Sequence, residues 1–79
     1  MNIIRFAIKH KPTKKWVKLK NGVEITLIDD ICYATLSDIG PLLLENIKNC
    51  SYEHNNFYGR ENFLEFELEK INIKYTILS

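Results

Sequence analysis

From Ile4 the chain alternates, with Ile4, Phe6 and Ile8 on one side and Arg5, Ala7 and Lys9 on the other, the period-2 signature of a half-buried strand. Lys11-Pro12-Thr13-Lys14 then reads as a turn, because Pro presets φ for the second turn position. In the next run Val17 and Leu19 face the core and Trp16, Lys18 and Lys20 point outward. A two-residue Asn21-Gly22 loop would pair Lys20 with Val23 and Lys18 with Ile25, forcing lysines onto the apolar side. A three-residue Lys20-Asn21-Gly22 loop avoids this: Gly22 takes the left-handed position, Leu19 faces Val23 and Val17 faces Ile25. It also sets Lys18 against Glu24 and Trp16 against Thr26, and a third strand follows over 23–28.

Pairing Ile8 with Val17 and Phe6 with Leu19 makes a meander with one apolar face: Ile4, Phe6, Ile8, Val17, Leu19, Val23, Ile25 and Leu27. The segment 37–50 is the predicted cover, a helix capped by Ser37 or Asp38, with Pro41 in its first turn and Ile39, Leu43, Ile47 and Cys50 at helical spacing. Ile31, Tyr33 and Leu36 form a short extended link before it. The Asn-rich stretch 51–62, interrupted by Gly59, reads as a long loop.

Residues 63–79 match a helical seam through Leu64, Leu68, Ile71, Tyr75 and Leu78. They also match a strand through Leu64, Phe66 and Leu68, then Ile71, Ile73, Tyr75 and Ile77, whose parity changes at Glu69-Lys70. The β-branched and aromatic content of INIKYTI favours the strand, with a bulge or tight turn at the parity change. The expected fold is one α+β domain over 1–79, a small antiparallel sheet of order β-β-β-α-β with one helix on one face.

Composition fits a packed globular core: 46% hydrophobic and 27% charged residues over 79 positions. A domain this small buries only about 60 to 65% of the surface of its unfolded chain, so its stability is modest. Neither a signal-peptide stretch nor a run of about 18 apolar residues is seen, so Cys32 and Cys50 are expected as reduced thiols in the cytoplasm, with no membrane partner. Net charge is +1, but residues 1–20 carry +7 and residues 21–79 carry −6, an asymmetry that hints at a charged partner.

No catalytic, metal or nucleotide motif is strong enough to name a reaction. His10, Cys32, Cys50 and His54 are zinc-ligating types, but their spacing lacks any CxxC or HxxxH clamp, and inert thiols with surface imidazoles are expected instead. A Cys50-His54 nucleophile pair lacks a recognisable orienting group. Glu65, Glu67 and Glu69 alternate as a solvated strand edge, useful against edge-to-edge aggregation. Neither cofactor nor metal is expected, and the chain is read as non-enzymatic.

The basic face is the strongest feature. Arg5, Lys9, Trp16 and Lys18 project from one side of the first two strands, with Lys11, Lys14, Lys15 and Lys20 at the turns. Bases around an exposed aromatic suit phosphate contacts with base stacking, or an acidic protein surface. Lysines that merely keep the sheet face soluble, with Trp16 lying over their stems, account for the same pattern. Glu24, within the patch, and the nine acids that follow it weaken the field a nucleic acid would feel. Tyr52, His54, Phe57, Tyr58 and Arg60 form a second candidate contact loop.

FAIKHKPTKKWVKLKNG, the ATLSD before the helix and the closing INIKYTIL together resemble, in layout, the small α+β accessory proteins of phages and mobile elements of low-GC bacteria. The resemblance carries no functional residues over. It implies a stoichiometric inhibitor of a host or defence protein, of the anti-CRISPR kind. The partner-contacting residues are then expected to be Arg5, Lys9, Lys14, Trp16, Lys18, Tyr52, Tyr58 and Arg60. A nucleic-acid-binding module using the same basic face is the alternative, and the protein is expected as a monomer or a homodimer.

Overall fold

A computed structural model of the protein describes residues 2–53 and 57–74; His54, Tyr75, Ile77 and Leu78, named above, lie outside them. In chain order these residues form β1 (Asn2–His10), β2 (Lys15–Lys20), β3 (Glu24–Ile28), a 3-10 turn (Ile31–Tyr33), α1 (Gly40–Ile47), β4 (Ser51–Tyr52), a 3-10 segment (Gly59–Glu65) and β5 (Phe66–Lys74). The fold is α+β, as the pattern predicts. The five strands make one sheet of order β4-β3-β2-β1-β5, antiparallel except for β3 with β4.

The core lies between one sheet face and α1: Ile8, Val17, Ile25 and Phe66 meet Leu43, Ile47 and Cys50. Ile8, Val17, Ile25 and Ile47 are fully buried, each stabilising the fold by about 1.5–3 kcal/mol of apolar transfer. An eight-residue helix is too short to persist alone, so Leu43 and Ile47 hold α1 in place. The sheet is strongly curled. Tyr52 and Phe66 sit on opposite edge strands, which in a flat sheet would lie about 19 Å apart, at about 4.8 Å per strand spacing. Their ring centroids are 5.9 Å apart.

Several local expectations are corrected. Asn21 and Gly22 both have positive φ at the centre of the β2–β3 turn, and Val23 is an extra residue after them, so Lys20 faces Glu24. The register is therefore two residues from the one expected: Leu19 faces Ile25, Val17 faces Leu27, Lys18 faces Thr26 and Trp16 faces Ile28. A shift of two keeps every side chain on its own side, except that Val23 leaves the ladder and is 63% exposed. Ile4, at the far end of β1, is also exposed.

The helix is shorter than 37–50. Its N-cap is Ile39, with no capping side chain, and Ser37 instead accepts from the Ile39 N–H in a turn before it. Ile39 is consequently exposed rather than part of the seam. The link through Ile31 and Tyr33 is a 3-10 turn, and the stretch read as a loop holds β4 and most of the second 3-10 segment. β5 runs without a bulge, paired residue for residue with β1 from Asn2–Lys74 to His10–Phe66. Its parity change is a change of apolar face: Leu68 lies opposite Ile8 on the core side, whereas Ile73 lies opposite Ile3 on the outer side.

The β1–β2 ladder holds the expected register only at Lys9–Trp16 and His10–Lys15. Beyond these rungs the strands part. Thr35 and Ser37 enter the gap: Ser37 exchanges both backbone bonds with Phe6 (2.8 and 3.0 Å), and the Thr35 N–H donates to the Val17 carbonyl at 3.1 Å. The Leu19 N–H donates to Thr35 Oγ1 at 2.8 Å. The expected pairing of Phe6 with Leu19 is thus replaced by an inserted segment.

Candidate functional site

Strand alternation carries Arg5, Lys9, Trp16 and Lys18 to the face opposite α1, because their neighbours Ile8 and Val17 pack beneath the helix. Lys9 and Trp16 are directly paired across β1 and β2, and the Lys9 Nζ lies 5.5 Å from the indole ring centroid. Such a cation–π contact contributes about 0.5–1 kcal/mol at exposed sites. Lys18 is exposed, and Lys14 is exposed in the turn at φ 58°. The Arg5 Nη1 donates to the Ile4 carbonyl at 3.0 Å, leaving its remaining donors to solvent or a partner.

β5 completes this face with groups that sequence reasoning assigned elsewhere. Glu67 lies opposite Lys9, Glu69 opposite Ala7, and Ile71 opposite Arg5. β5 is an edge strand as expected, but Glu67 and Glu69 on it are half-buried rather than fully solvated. Leu36 joins from the inserted segment: Ser37 is paired with Phe6 on the core side, so its neighbour Leu36 turns outward and is exposed. The outer face is therefore bases on β1 and β2, Glu67 and Glu69 on β5 and Glu24 opposite Lys20 on β3, with Trp16, Ile28, Leu36, Ala7, Ile71, Ile3 and Ile73 as apolar positions within it.

The second predicted cluster is divided. Tyr52 points into the curled sheet, against Phe66, and its hydroxyl is buried with no hydrogen-bond partner. Burial, assisted by the nearby Glu65 charge, pushes its phenol up to about 12. Tyr58 and Arg60 are exposed and lie beside the C-terminal end of α1, apart from the Trp16 face. They line a shallow pocket of about 290 Å³ with Lys48, Asn49 and Glu61. Arg60 Nη2 donates to Asn49 Oδ1 at 3.2 Å, and Lys48 is committed to Glu45 at 3.1 Å and to the Phe63 ring at 4.2 Å. Those cations are already occupied by their own neighbours.

His10 is the polar residue the pattern did not place correctly. It is only 7% exposed, on the core side of β1, with Nδ1 2.8 Å from Thr13 Oγ1 and Nε2 3.1 Å from Glu65 Oε2. Its ring tilts against Phe66 at 5.2 Å. With both nitrogens engaged it pins the β1–β2 turn to the start of β5 and offers no free base. The thiols are held protonated: a hydrogen bond and negative charge from Asp30 push Cys32 up, and burial pushes Cys50 up. Among the described residues no group of three His, Cys, Asp or Glu side chains could hold a metal ion. No helix among them is long and apolar enough to cross a membrane. No protein-family profile, no curated protein and no solved structure matches this chain.

Proposed function

We propose that the protein is a non-enzymatic binding protein whose outer sheet face, centred on Trp16, docks a partner protein in the bacterial cytoplasm and blocks a host or defence function. The observation that supports this reading is the Lys9–Trp16 pair, a half-buried indole on the sheet face opposite α1 with charges of both signs around it. Trp and Arg are the residue types that most often anchor protein interfaces. The partner's chemistry follows from the pattern: acidic side chains opposite Arg5, Lys14 and Lys18, and a basic group opposite Glu67 and Glu69. A polyanion suits this face less well, since the two β5 carboxylates repel phosphates beside the bases that would attract them.

The test uses the triple variant Lys14→Glu, Trp16→Ala and Lys18→Glu, checked for an unchanged circular dichroism spectrum, beside a wild-type chain carrying a photo-crosslinking residue at position 18. The expected result is one nuclease-resistant, stoichiometric protein crosslinked through position 18 and lost from the triple variant. Retained binding by the folded triple variant moves the site elsewhere. Recovery of nucleic acid instead, with affinity falling steeply as salt rises, replaces the protein partner with a phosphate backbone.

A further inference from the structure

We propose that Thr35–Ser37 is an exchangeable strand within the sheet, and that the protein has a second state in which it withdraws and β1 closes on β2. The two rungs already formed, Lys9–Trp16 and His10–Lys15, fix the register of the whole hairpin. Continued without slippage, that register makes Ile8–Val17 and Phe6–Leu19 the next hydrogen-bonded pairs. Four of the eight backbone groups those pairs need are the ones the inserted segment now occupies. The Phe6 N–H and carbonyl are taken by Ser37, the Val17 carbonyl by the Thr35 N–H, and the Leu19 N–H by the Thr35 hydroxyl. The last contact is telling: a parallel neighbour would offer Leu19 its carbonyl, and here a side chain stands in for it.

The inserted segment is held by little else. Thr35 and Ser37 are half-buried, Leu36 is exposed, and none of the three belongs to the core cluster beneath α1. Segments with few buried apolar contacts are the ones that open locally while the rest of a fold stays intact. Withdrawal therefore breaks backbone bonds that the hairpin re-forms, and leaves the Ile8, Val17, Ile25 and Ile47 core in place. It also rebuilds the outer face, setting Lys18 opposite Ala7 and Lys20 opposite Arg5. The inference stands on the backbone bonds and does not depend on what the face binds.

Thr35→Val removes the hydroxyl that satisfies Leu19 and so favours the closed hairpin, in which Ala7 and Lys18 form a non-hydrogen-bonded pair with Cα atoms about 4.5 Å apart. The expected result is a strong Hα–Hα cross-peak between Ala7 and Lys18 in the nuclear Overhauser spectrum of the variant. A folded variant that keeps the Phe6–Ser37 contacts and lacks the cross-peak overturns the proposal. Hydrogen exchange on the wild type decides the matter if the variant does not fold. The Ser37 amide is expected to exchange at least about tenfold faster than those of Arg5 and Ala7, which bond to β5 on the other side of the same strand. Exchange of all three at one common rate equally overturns it.

Discussion

Tyr52 offers a substitution whose sign runs against the usual cost of altering an interior residue. Its ring packs on Phe66 and beside the core, but its buried hydroxyl has no hydrogen-bond partner. An unpaired hydroxyl taken from water costs about 1–3 kcal/mol in protein mutational data. Tyr52→Phe keeps the ring contact and deletes the oxygen, so it is expected to stabilise the protein by about 1 kcal/mol. In a domain of this size that raises the melting temperature by about 4–8 °C. Urea unfolding provides the check: a higher midpoint with an unchanged slope is expected. A lower midpoint would mean that the hydroxyl is paired in solution and that the accounting of this interior is wrong.

The same residue predicts a pH dependence. The native phenol ionises at about 12, above the ordinary tyrosine value of 10. Between those values the unfolded chain has lost its proton and the native chain has kept it, so the native state binds more protons and stability falls as pH rises. The contribution is fully present below pH 10 and is lost by about 12. The difference in stability between Tyr52→Phe and wild type is thus expected to widen across that window. A constant difference contradicts the burial of the phenol.

Three further substitutions test the packing that positions the outer face. Gly59→Ala sets a Cβ against the Ile47 carbonyl of α1, backbone that cannot yield without breaking the Gly59 N–H bond to Cys50; a loss of about 3 kcal/mol or more is expected in denaturant unfolding. At Gly40 the obstructing atoms belong to the Phe6 and Leu68 side chains, so Gly40→Ala is expected to lose less. His10→Ala removes the bonds to Thr13 and Glu65 and the contact with Phe66, and is expected to destabilise by about 2–3 kcal/mol. A neutral His10→Ala would show that the turn is held to β5 by the strand ladder alone.

What the sequence made legible was parity. Ile8, Val17 and Ile25 are buried, and Trp16 and Lys18 are outside, because alternation is a property of each strand by itself. Register is a relation between strands. The expected and observed β2–β3 pairings differ by two residues, and a shift of two leaves the sides unchanged, so the pattern carries no information to choose between them. His10 continued the core parity of Ile4, Phe6 and Ile8, which was the available signal for its burial. The Glu69-Lys70 parity change is a real feature, but a face switch and a bulge write the same string of residues, and only the uninterrupted β1–β5 ladder separates them.

The outer face shows why a site is harder to read than a fold. Its bases are adjacent in sequence and were visible as a run, whereas Glu67 and Glu69 reach the face only because β5 pairs with β1 across the length of the chain. Leu36 reaches it only because the inserted segment separates β1 from β2. In an unbroken hairpin Lys18 would sit opposite Ala7, with Arg5 two residues along. The insertion adds about 4.8 Å, one strand spacing, between the two strands. The positive charges are spread and an exposed leucine is set between them, so a run of bases that suggested a compact anion site in the sequence becomes a broad, two-signed surface with apolar positions inside it. That distribution, more than the number of lysines, favours a protein over a phosphate backbone as the occupant.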